Sequence, residues 1–261
     1  ILLCHGFPDL WYGWRYIIPL LVKAGYKVIV PDLPGYGQTE QPKELENLTF
    51  AHICEDLNAL LDRLDIPTVT LLGHDWGGMV VWRMVNRYPK RIKAVISLCT
   101  PYTPANSQFV PLDKVIQAIP SFKYQQKLFA TEEAVESFNE NLEGFFQKIY
   151  QSGEAPIVPY DEAHPTSSTT APSTLILNDQ VSDPSTVSPR PELDYYMEQF
   201  RPHGLYWPLG WYRTRKLNFD ADKALERKID RPCLMICAEK DQALPPSLTN
   251  GMDQWIADLD I

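Results

Sequence analysis

The chain has 261 residues, 44% of them hydrophobic, enough for one globular domain with a sizeable core. Its net charge of −9 argues against a nucleic-acid or anionic-membrane partner, since both need a basic face. No apolar run approaches the ~20 residues of a transmembrane helix.

In chain order, Val/Ile/Leu-rich runs at 1–5 "ILLCH", 26–31 "YKVIVP", 68–73 "TVTLLG", 93–99 "KAVISLC" and 233–238 "CLMICA" predict strands. They lack polar alternation, which suggests a parallel sheet buried on both faces. Helical patterns at 14–24, 50–64, 77–88 and 246–258 separate them. This alternation makes an α/β fold with a mostly parallel, doubly wound sheet the expected class.

Residues 101–218 break the rhythm. They hold a helical pattern at 131–150, a Pro/Ser/Thr-rich tract at about 155–190 that reads as a long exposed loop, and a second helical pattern from 191. The expected organisation is a discontinuous core of 1–100 and 219–261, interrupted by a helical lid over 101–218.

Cys4, Cys54, Cys99, Cys233 and Cys237 are odd in number and lie in apolar segments. They read as buried thiols of a reducing compartment, which points to the cytoplasm. Beginning inside a strand without Met, and ending in a helical pattern, the chain reads as a fragment with uncovered apolar edges and poor solubility. Targeting is not legible from such ends.

One motif carries chemistry. Gly73-His74-Asp75-Trp76-Gly77 follows a strand and opens a helix. Small-x-nucleophile-x-small is the elbow that holds a nucleophile in a strained turn, where bulky neighbours would clash. Asp75 would stand at the sheet's carboxyl edge, where the helix N-terminus favours its ionised form. A bland alternative is an aspartate that merely caps that helix.

A carboxylate nucleophile suits attack on saturated carbon, by opening an epoxide or displacing halide. The product is an alkyl ester of Asp75, whose carbonyl carbon water can then attack. A serine would form a stable ether instead.

Together with "HGFP" at 5–8 and "DLPGYGQT" at 32–39, each after a strand, the elbow resembles the α/β-hydrolase family. That resemblance implies an oxyanion hole from the backbone N–H groups of Phe7 and Trp76. It also implies an orienting acid at Asp241 in "AEKD", with Glu239 as the nearby alternative, and a general-base His some 20–30 residues further on. None of His5, His52, His74, His164 and His203 follows Asp241. The base is expected beyond Ile261, and the ester is expected to persist on this chain without turnover.

The segments "HGFPDLWYGWR", "GHDWGG", "AEKD" and "LYWPLGWYRTRKLNF" resemble the soluble epoxide hydrolases of that family. The likeness implies a small apolar epoxide and water as reactants, with no cofactor or metal. It implies two lid tyrosines that donate to the epoxide oxygen, matching Tyr212 in "GWYR" and Tyr124 in "SFKYQQKLF". Phe7, Trp76 and Trp211 would line the pocket. Two alternatives are a haloalkane dehalogenase, with Trp76 as a halide donor, and a non-catalytic module that binds apolar ligands beside Phe7, Trp76, Trp207 and Trp211.

Overall fold

The computed structural model describes residues 1–128, 132–150 and 191–261, so the expected loop at 155–190 and His164 lie outside the described residues. Five strands form one parallel sheet in the order β1 (Leu2–Cys4), β2 (Val69–His74), β3 (Ile92–Leu98), β4 (Cys233–Ile236), β5 (Leu259–Asp260). The expected α/β-hydrolase sheet is present, with two local corrections.

The 26–31 run forms only a single bridge to β1, Leu2 to Ile29. Pro31 has no N–H to extend the ladder beyond it. The predicted helix at 246–258 is instead two short 3-10 turns, Pro246–Thr249 and Met252–Gln254, and the chain then pairs as β5. Pro245 and Pro246 limit helical hydrogen bonding, and Gly251 at φ 84° breaks the run.

The first helices are α1 (Ile17–Lys23), α2 (Phe50–Arg63) and α3 (Trp76–Arg87). In α2, Phe50, Ile53, Cys54, Leu57 and Leu61 recur at helical spacing and are buried, while the Thr49 hydroxyl accepts from His52 N at 3.3 Å. With α3 they cover one face of the sheet and build the main core with Leu71, Val95 and Trp82. The other face is thinner, so burial on both faces is only partial. There Leu3, Trp14 and Leu72 form a small cluster, α1 buries no residue, and Leu20 and Ile236 are exposed. All five cysteines are free; Cys4, Cys54 and Cys233 are buried, whereas Cys99 and Cys237 are half-buried.

Between β3 and β4 come α4 (Leu112–Ala118), α5 (Gln125–Leu128), α6 (Glu132–Glu140), α7 (Leu142–Ile149), α8 (Pro191–Phe200), α9 (Tyr206–Gly210) and α10 (Arg215–Asp222). The single helical run expected at 131–150 is split at Asn141, whose side chain instead caps α7 by accepting from Gly144 N. Among the described residues no helix is long and apolar enough to cross a membrane.

Two buried polar links tie α10 to the sheet's helices. Asn218 accepts from Phe50 N at 2.8 Å and donates to the Thr214 hydroxyl at 2.8 Å. Asp222 accepts from Arg83 Nε at 2.7 Å and from Arg87 at 2.5 Å. Asp222→Ala would leave both guanidiniums without their carboxylate, so we expect it to cost about 3 kcal/mol, read as a lower urea midpoint. An unchanged midpoint would show that the ion cluster contributes nothing to stability.

Candidate active site

Asp75 sits between β2 and α3 with φ 52° and ψ −123°, a backbone conformation that non-glycine residues rarely adopt. Neighbouring glycines make room for it. A Cβ on Gly6 would overlap the Asp75 side chain, and one on Gly77 would overlap the carbonyl oxygens of Cys4 and His5. The turn is held further by the Thr100 hydroxyl, which donates to the Asp75 carbonyl at 2.7 Å.

The carboxylate does not cap α3. Its Oδ1 accepts from Phe7 N at 2.7 Å, from the turn after β1. Burial pushes the Asp75 carboxyl above its ordinary value. His74 and the N–H groups of Phe7 and Trp76 oppose the shift, and nearby Asp241 adds to it. The side chain is partly exposed towards a cavity, yet protein surrounds the carboxyl closely enough for desolvation to dominate. The preference for ionisation expected from the helix N-terminus is therefore outweighed.

A proton on Asp75 would block its attack, so alkylation by an epoxide should rise with pH through a midpoint above the ordinary 3.8. Intact-mass labelling rates measured across pH check this. A midpoint at or below 3.8 contradicts it.

The turn after β1 is fixed from below by His5, which is buried. Its Nδ1 lies 2.9 Å from Gly6 O, and its Nε2 accepts from Leu33 N at 2.9 Å. Burial lowers its pKa, consistent with a neutral ring whose Nε2 is an acceptor. Above the turn, the Tyr196 hydroxyl donates to Asp9 at 2.5 Å and the Tyr150 hydroxyl to Pro8 O at 3.0 Å. The helices between β3 and β4 are thus docked on the turn that carries Phe7.

A cavity of about 410 Å³ is lined by Asp75, Trp76, Tyr124, Trp211 and Tyr212, among others. Phe7 and Asp241 are not among its lining residues. The Phe7 ring packs edge-on against Tyr212 at 5.4 Å, and Tyr212 meets the Trp76 ring at 4.9 Å and the Tyr124 ring at 6.3 Å. Tyr124 lies in the short turn Pro120–Tyr124, and Tyr212 in the turn Trp211–Arg213 between α9 and α10. Burial raises both phenols, with Tyr212 pushed well up and Asp75 contributing to each; a hydrogen bond between the two hydroxyls tempers the shift at Tyr124. Both remain protonated donors at neutral pH. Trp211 Nε1 donates to Pro34 O at 3.1 Å, and the Trp76 side chain meets the Tyr212 hydroxyl, tempering the shift of that phenol.

Asp241 follows β4 in a tight turn, where its Oδ1 accepts from Ala243 N at 2.9 Å and Leu244 N at 2.8 Å. The Cys99 thiol faces Asp241, and burial and this carboxylate push it to about 11. Ser121 donates to Ala243 O at 3.0 Å, linking the Tyr124 turn to the Asp241 loop. The alternative acid, Glu239, is exposed. Among the described residues no histidine hydrogen-bonds Asp241; His52 lies 3.9 Å from Asp56, and His203 is exposed. Thr100 and Asp222 carry no sequence signal as site supports, because their partners lie far away along the chain.

A parallel sheet with a strained aspartate elbow at its carboxyl edge defines an α/β-hydrolase, and the family model for the alpha/beta hydrolase fold matches residues 1–260. Bifunctional epoxide hydrolase 2 of Rattus norvegicus is 37% identical over 258 residues, spanning 98% of this chain and 46% of the relative. Epoxide hydrolase srdG of Neurospora crassa is 31% identical over 278 residues, spanning 98% of this chain and 77% of the relative. Among solved structures, epoxide hydrolase A from Mycobacterium thermoresistibile superposes with a TM-score of 0.84 at 26% identity, covering 99% of this chain and 81% of that one. The chain belongs to the epoxide hydrolases of the α/β-hydrolase fold family. It spans about half the length of the mammalian relatives it matches.

Proposed function

We propose that the chain opens epoxides through a covalent ester on Asp75, beneath the described helices between β3 and β4. The observation that carries this reading is one cavity wall shared by Asp75, Tyr124 and Tyr212. The Phe7 N–H holds Oδ1, which leaves Oδ2 as the attacking atom. As Oδ2 bonds to a ring carbon, the ring C–O bond breaks and its electron pair passes to oxygen. A tyrosine hydroxyl then protonates that oxygen. Oδ1 becomes the ester carbonyl, already beside the N–H groups that would stabilise its oxyanion when water attacks. That attack releases a vicinal diol and restores the carboxylate, one water proton going to the leaving alkoxide oxygen and the other returning to the tyrosinate.

The water needs a general base, with Asp241 orienting it. The test is intact mass after incubation with styrene oxide. A single adduct equal to the epoxide mass, or release of the diol, supports the reading, and the absence of both on folded protein counts against it.

Trp76, an indole N–H donor on the cavity wall beside Asp75, favours a second reading, halide displacement by the same carboxylate. Chloride release from 1-chlorohexane without labelling by styrene oxide would select it.

A further inference from the structure

We infer that Tyr196 and Tyr150 are positioning residues: from the helices between β3 and β4 they hold the turn 6–9 so that the Phe7 N–H meets the Asp75 carboxylate. Its meaning for catalysis rests on Asp75 being the nucleophile.

The sheet does not reach this turn. β1 ends at Cys4, opposite Gly73, so the turn lies beyond its last ladder pair. Inside the turn, Asp9 N donates to Gly6 O at 3.0 Å, and His5 Nδ1 lies 2.9 Å from the same oxygen. Those contacts fix Gly6 and leave Phe7, Pro8 and Asp9 to be held from elsewhere. Among the described residues, the side chains that hydrogen-bond these three are Asp75, Tyr150 and Tyr196.

Tyr196 is buried, its ring packed against Tyr12 at 6.0 Å, Phe146 at 5.8 Å and Tyr150 at 4.9 Å. A ring so enclosed cannot follow a drifting turn, so its hydroxyl is a fixed point. Asp9 Oδ1 accepts from that hydroxyl at 2.5 Å and from Leu10 N at 2.8 Å. Burial and the Asp9 carboxylate push the Tyr196 phenol up, with Arg15 opposing, so it stays a protonated donor. Tyr150, at the end of α7, stacks on Phe146 and donates to Pro8 O at 3.0 Å. Between these anchors and Gly6 stands Phe7, whose N–H reaches Asp75 Oδ1 at 2.7 Å. Short bonds to a charged acceptor weaken steeply as their geometry loosens.

A donor to the carboxylate favours its ionised form, so loosening the Phe7 bond should raise the pH at which Asp75 ionises. The ionisable groups that face Asp75 are His74 beside it, Tyr124 and Tyr212 across the cavity, His5 and Tyr36 from neighbouring turns, and Asp241 from the loop after β4. The substitutions that test the inference leave these groups in place.

Tyr196→Phe and Tyr150→Phe remove the hydroxyls and keep the rings. In the isotope-labelled whole chain, NMR should show the Phe7 amide proton moved upfield in Tyr196→Phe. The Asp75 carboxyl titration, followed at its side-chain carbon, should move up by about one pH unit. Tyr150→Phe should move both signals the same way, and the double variant further. Tyr195→Phe is the control. Its hydroxyl accepts from Trp11 Nε1 at 2.9 Å, on the same helix but away from the turn, so both signals should stay as in wild type. A purely structural role would lower the melting temperature and leave the Asp75 titration where it was. Wild-type signals in folded Tyr196→Phe overturn the inference, as do equal shifts in Tyr195→Phe. Should Tyr196→Phe not fold, wild-type signals in Tyr150→Phe overturn it instead. Both signals are read without substrate, so they decide the inference even if styrene oxide fails to label and the epoxide reading falls.

Discussion

Asp75→Ala is expected to abolish covalent capture of styrene oxide, lowering the labelling rate by roughly 10⁴-fold or more, as loss of a nucleophile does elsewhere. The size of the effect follows from the cavity wall. Its other carboxylate, Asp222, is buried and held by Arg83 and Arg87, so it is not free to attack. Asp75 alone combines access to the cavity with an N–H group fixing one of its oxygens. The variant should also fold. It removes a carboxyl group whose burial is unfavourable to its charged form. A cooperative melt together with undiminished labelling would mean another nucleophile, and peptide mapping would locate it.

The second large effect concerns the paired phenols. Tyr124→Phe and Tyr212→Phe, made singly, each leave one hydroxyl at the site, so each should slow labelling by about tenfold. The double variant removes both donors and should lose about 10²–10⁴-fold, the range for general acid catalysis. Because the hydroxyls hydrogen-bond one another, the two losses are not expected to add simply. Single-turnover labelling checks the epoxide step. Displacement from an alkyl bromide serves as the control, because bromide leaves without a proton. A double variant that labels as fast as wild type would remove the tyrosines from the mechanism.

Sequence and structure part company where partners are remote. The strands at 68–73 and 93–99 were legible because continuous apolar runs are what a central parallel strand requires. The elbow was legible because its spacing encodes a local turn. Apolar content alone misled at 26–31 and 246–258, where prolines and Gly251 decide the backbone. The setting of Asp75 also escaped the local reading, which saw the helix N-terminus but not the enclosing cavity that raises its pKa. Nothing near Asp222 in the sequence announces what it faces. Arg83 precedes Asp222 by 139 residues, and only the return of α10 onto α3 joins them.

The unequal support of β2 and β4 bears on how the site would come apart. Asp241 hangs from the end of β4, a strand of four residues whose last, Ile236, is 46% exposed. Asp75 hangs from β2, which is flanked on both sides and backed by the main core. Amide protection should therefore be deepest along β2 and α3 and shallower along β4. Local opening of β4 would release the acid loop while the nucleophile stayed in place, making Asp241 the first part of the site to fray.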